Sequence, residues 1–131
     1  MQTIALDTNA YVAFKRGATG VAEAIARAPS ILMPVIVLGE LRAGFAFGSR
    51  PEQNEAELIR FLGSTRVVVQ PVDETVTLAY ASIYRQLRRK GQPIPTNDLW
   101  IAACTLAGNA VLLTGDSHFA GIEGLAVLPL H

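Results

Sequence analysis

Apolar residues along this chain fall into short runs and helical spacings that alternate from one end to the other. The run at 3–6 ends in Asp7-Thr8-Asn9, which reads as a buried strand with a polar turn at its C-terminal end. A short helix is predicted from Ala10 and a second over 21–27. Pro29-Ser30 interrupts the pattern, and 31–33 follows as a second strand. Pro34, well suited to a first helical turn, opens a helix that runs to about Phe47. Gly48 and Pro51 end it, and 52–62 forms the next.

The second half continues the alternation. Three consecutive valines within 66–70 read as a strand. Asp73 is placed as N-cap of a long helix over 74–90, which Gly91 closes. Residues 92–95 carry two prolines and cannot lie inside a helix. Thr96 or Asn97 then caps a helix to about Leu106, with Gly108-Asn109 as its stop. A strand at 110–113, a turn at 115–118 and a short last strand at 125–128 complete the pattern. Such alternation predicts an α/β sandwich around a mostly parallel sheet of about four to five strands. Ligand sites in these sheets lie just beyond the C-terminal strand ends, where Asp7 and Asp116 fall.

Composition narrows the class. At 131 residues, half of them hydrophobic and 17% charged, the chain is expected to form one globular domain with a core of its own. Cys104 is the single cysteine and lies in an apolar stretch, so an intrachain disulfide and a cysteine-rich zinc site are excluded and a small buried hydrophobe is expected. The first six residues lack the features of a signal peptide, and the longest apolar stretch, 31–38, is too short to span a bilayer. A cytoplasmic protein without membrane association is the expectation. Net charge is zero, but setting aside four acids discussed next leaves 7 acids against 11 bases. A cation bound at those four would expose that basic excess to an anionic substrate.

The four acids are Asp7, Glu40, Asp98 and Asp116. Each has an ordinary reading as well. Asp7 suits an Asx-turn or helix cap, Asp98 complements a helix dipole, and Asp116 is a turn aspartate. Glu40 has only Ile36, Val37, Ala43 and Gly44 as helical neighbours, so it sits either at the edge of a solvated face or buried against a cation. Together they say more, because two lie at strand ends and two on helices that must pack against the same sheet. Carboxylates converging in one cleft repel unless protonated or bridged by a cation. Oxygen donors without thiolates or clustered imidazoles suit Mg²⁺ or Mn²⁺, ions that activate water and neutralise charge on a phosphodiester.

The segments Leu6-Asp7-Thr8-Asn9, Gly39-Glu40-Leu41, Asn97-Asp98-Leu99-Trp100-Ile101-Ala102-Ala103 and Leu113-Thr114-Gly115-Asp116-Ser117-His118-Phe119, in this order, resemble the PIN-domain ribonucleases, most closely the VapC-type toxins of prokaryotic toxin–antitoxin pairs. The likeness covers the whole chain. It implies one PIN domain over 1–131, a PIN-like α/β/α sandwich, and Mg²⁺ or Mn²⁺ held by Asp7, Glu40, Asp98 and Asp116 as the catalytic acids. It also implies endonucleolytic hydrolysis of structured RNA such as tRNA or rRNA, a homodimer, and a cognate VapB-like antitoxin. Thr8, Asn9 and Thr114, at motif positions, are expected to support the site by hydrogen bonding. Family members often carry a further acid two positions after Asp116, where this chain has His118.

Arg85, Arg88, Arg89 and Lys90 end a helix, where they either complement its dipole or touch RNA phosphate. Tyr11, Phe14, Tyr80, Tyr84 and Trp100 are expected in the core or an interface, not as base-stacking platforms. Two rivals remain open: a catalytically weak RNA- or antitoxin-binding module, and a phosphatase of the haloacid-dehalogenase type. The second lacks an acid two residues after Asp7 and a lysine in a suitable loop before Asp116.

Overall fold

The computed structural model describes residues 2–130, so His131 lies outside the described residues. Strands β1 (Ile4–Leu6), β2 (Ile31–Pro34), β3 (Val67–Gln70), β4 (Val111–Thr114) and β5 (Val127–Pro129) form one sheet in the order β3-β2-β1-β4-β5. Every pairing is parallel. The helices α1 (Thr8–Lys15), α2 (Thr19–Arg27), α3 (Val35–Phe47), α4 (Pro51–Leu62), α5 (Glu74–Lys90) and α6 (Thr96–Ala107) complete the expected α/β/α sandwich. A 3₁₀ turn at Ser117–Phe119 replaces the simple turn expected there.

The central strands are buried throughout or nearly so, as parallel strands covered on both faces must be. Helix α6 is the most buried helix, with Leu99 and every residue from Ile101 to Thr105 inside. Cys104 is fully buried, and that burial pushes its thiol up to about 11. Tyr11 meets Phe61 edge-on and Tyr80 stacks on Trp100 at 3.9 Å, which makes them packing groups, while Tyr84 stays half-exposed.

The order β3-β2-β1-β4-β5 has one consequence for function. The chain builds outward from β1 in one direction and then returns to build from β4 in the other. The crevice between the C-terminal ends of β1 and β4 is therefore the switch point of the sheet, where open α/β sheets hold ligands. Leu6 pairs with Leu113, so Asp7, just past β1, and Thr114, the last residue of β4, stand side by side.

Several boundaries differ from those expected from sequence. Helix α1 starts at Thr8, because Asp7 accepts the Ala10 N–H at 2.8 Å and so caps the helix two residues earlier. Pro34 ends β2 and precedes α3, and Pro51 opens α4 at a first-turn position where its missing N–H costs nothing. Neither Thr96 nor Asn97 caps α6, whose N-cap position is Pro95. The last strand lies at Val127–Pro129, shifted from 125–128 by pairing with β4.

Candidate active site

The four acids meet at the switch point. Asp7, Thr8, Asn9, Glu40, Asp98, Ile101 and Asp116 line one cleft of about 170 Å³. Each acid arrives by a different route. Asp7 follows β1, Glu40 sits on α3, Asp98 lies in the first turn of α6, and Asp116 follows β4.

Asp7 is 4% exposed and fully engaged. One oxygen caps α1 and the other accepts the Thr114 hydroxyl. Burial raises its pKa, opposed by those hydrogen bonds and reinforced by the Asp116 and Asp98 carboxylates. Thr114 is itself buried, and its Oγ1 accepts the Asp116 N–H at 3.0 Å. One hydroxyl thus aligns two acids. Thr114→Val keeps the shape but leaves the buried Asp7 oxygen without that donor. The expected cost is about 1–3 kcal/mol of stability, read from denaturant melts. A neutral Thr114→Val would remove the hydroxyl from this supporting role.

Glu40 is half-buried and held by neutral donors, the Thr8 hydroxyl and Asn97 Nδ2 at 3.2 Å. No basic side chain pairs with it among the described residues, and nearby Arg42 pairs instead with Glu55 at 2.8 Å. Sequence alone offers Asn97 only a capping role. Its amide is drawn instead to a carboxylate 57 positions earlier. Asn9 lines the cleft and is exposed.

Asp98 also has a raised pKa, first through burial, then through the Asp116 and Glu40 carboxylates, against hydrogen bonding from His118. His118 bridges two acids, with Nδ1 at 2.8 Å from Asp98 Oδ2 and 3.2 Å from Asp116 Oδ1. Those contacts raise its pKa, the Asp98 hydrogen bond foremost. Ligand atoms of Asp98, Asp116 and His118 all lie within 4.8 Å of one another. Clustered carboxylate oxygens, two of whose carriers have raised pKa values, form a donor set that suits a divalent cation.

The basic residues of α5 are not in the cleft lining. Lys90 donates to Gly121 O at 2.9 Å and pairs with Glu123, and the Arg88 guanidinium lies 5.7 Å from the Tyr84 ring centre. Among the described residues Arg85 and Arg89 make no ion pair.

Residues 4–125 match the family model described as the PIN domain. Ribonuclease VapC4 of Mycobacterium tuberculosis is 33% identical over 96 residues, covering 73% of this chain and 74% of the relative. The crystal structure of VapBC2 from Rickettsia felis, bound to a DNA fragment from its promoter, is similar with a TM-score of 0.86 and 30% identity, over 98% of this chain and 99% of that one. DNA-bound VapBC from Salmonella typhimurium is similar with a TM-score of 0.87 and 25% identity, over the full length of both chains.

Proposed function

The chain belongs to the PIN-domain family, and on that premise we propose that residues 1–131 act as one domain, the endoribonuclease toxin of a VapBC-type toxin–antitoxin pair. The substrate is RNA and the cognate partner is a VapB-like antitoxin, with a homodimer in the cytoplasm as the working form. Membership sets aside the phosphatase alternative. No helix among the described residues is long and apolar enough to cross a membrane.

The observation that carries this reading is the convergence of Asp7, Glu40, Asp98 and Asp116 in one cleft at the sheet's switch point. These acids would hold Mg²⁺ or Mn²⁺. A bound ion of that kind lowers the pKa of its water and neutralises charge developing on the phosphodiester. The protein's part is to keep the carboxylates aimed and desolvated. Thr114 and the α1 N-terminus orient Asp7, and Thr8 with Asn97 orient Glu40. Such fixed geometry reduces the reorganisation needed as charge develops.

Mapping of cleavage ends on total RNA, with metal and with chelator, tests the proposal. Discrete ends that vanish in chelator are expected. RNA binding without cleavage in either condition would favour a binding module over a nuclease.

Arg85 and Arg89 are proposed to contact RNA phosphate outside the cleft. The double change Arg85→Gln/Arg89→Gln is expected to lower the slope of log affinity against log salt by about one unit for each phosphate no longer neutralised. An unchanged slope leaves the cluster as a solvated helix end.

A further inference from the structure

We infer that His118 is a direct nitrogen ligand of the site's cation, giving a mixed carboxylate–imidazole set that favours Mn²⁺ over Mg²⁺. This rests on the metal-dependent reading above. Its origin is an asymmetry among the four acids. Asp7 and Glu40 are held by donors from the body of the fold: Ala10 N–H, Thr114, Thr8 and Asn97. The side-chain partner of Asp98 and Asp116 is instead the His118 ring, whose Nδ1 reaches both at 2.8 and 3.2 Å.

The ring's placement is built by its neighbours. Asp116 Oδ1 accepts the His118 N–H at 2.9 Å, capping the 3₁₀ turn that carries the histidine. The Asp116 N–H is fastened to buried Thr114, and Phe119 is 1% exposed and anchors the other side of the turn in the core. The imidazole is therefore returned onto the carboxylate pair by residues before and after it. An oxygen and nitrogen donor set disfavours Mg²⁺, which demands oxygen ligands, and suits the transition ions that accept imidazole.

Pulsed EPR on the intact protein loaded with Mn²⁺ tests this directly, because a coordinated imidazole gives a ¹⁴N coupling. Wild type and a His131→Gln control are expected to show the coupling; His118→Asp and His118→Gln are expected to lose it. Competition calorimetry should find the Mn²⁺-to-Mg²⁺ affinity ratio lower in both His118 variants, on the order of tenfold. Thermal melts in chelator establish that the variants fold. Bound Mn²⁺ without nitrogen coupling in wild type, or an unchanged affinity ratio in both variants, overturns the assignment. In the first of these cases, loss of Mn²⁺ binding in Asp98→Asn and Glu40→Gln would leave the four-acid site standing without His118. Failure of wild type to bind either ion overturns both.

Discussion

Asp98→Asn is expected to lower RNA cleavage about 100- to 10,000-fold while leaving the protein folded. Such a loss corresponds to roughly 3–5 kcal/mol of transition-state stabilisation, the scale of several kcal/mol that a correctly held metal ion supplies. Asp98 lies in the first turn of α6, lines the cleft, and stands against the Asp116 and Glu40 carboxylates. It caps no helix, since Pro95 occupies the N-cap position of α6. Asparagine keeps an oxygen that can accept from His118 and removes the charge. The change should therefore spare the fold, and in chelator the variant should melt no lower than wild type. Undiminished cleavage by a folded Asp98→Asn protein would remove Asp98 from the site.

The second large effect concerns stability. In chelator, the protein should become more stable as pH falls from about 8 toward 6.5, opposite to ordinary acid destabilisation. Two kinds of group act in the same direction. The folded pKa of His118 lies above its ordinary 6.5, so its stabilisation is complete below that value and is lost as pH rises through the raised one. The folded pKa values of Asp7 and Asp98 are also raised. An acid shifted this way costs stability at neutral pH and recovers it as pH falls through the raised value.

Metal should reverse the trend, since coordination requires deprotonated ligands and tightens as pH rises. At a hundredfold excess over its Kd, Mn²⁺ adds about 2.7 kcal/mol at neutral pH, or roughly 10 °C in melting temperature for a domain of this size. Thermal melts across this pH range, with chelator and with Mn²⁺, decide the matter. Curves that coincide with and without metal, or a chelator curve that falls steadily with acid, would mean the carboxylates do not share a cation.

Much of the molecule is legible without coordinates. Among the described residues, the six helices and five strands lie where apolar spacing, prolines, glycines and the Asp73 cap place them, to within a few residues. The four acids, two just past strand ends and two on helices, are equally local facts. Local periodicity reports which residues a segment buries, and it does so because helix and strand repeats are set by the backbone alone.

What periodicity does not carry is the partner of each segment. The strand order, and with it the switch point between β1 and β4, is settled by packing of all layers together. Every supporting contact of the acids by a distant residue depends on that order. Thr114 reaches Asp7 across 107 positions, Asn97 reaches Glu40 across 57, and Thr8 reaches Glu40 across 32. Helical neighbours alone therefore leave Glu40 between a solvated edge and a buried cation, and only the structure shows that Thr8 and Asn97 orient it in the cleft. Asp7 required no choice, since it caps α1 and lines the cleft at once. In sequence His118 is only a substitution at one motif position; the turn anchored by Asp116 and Phe119 brings its ring onto both carboxylates. The composition of the site was written locally, whereas its geometry depends on side-chain distances that exist only once the parallel sheet has closed in a single register.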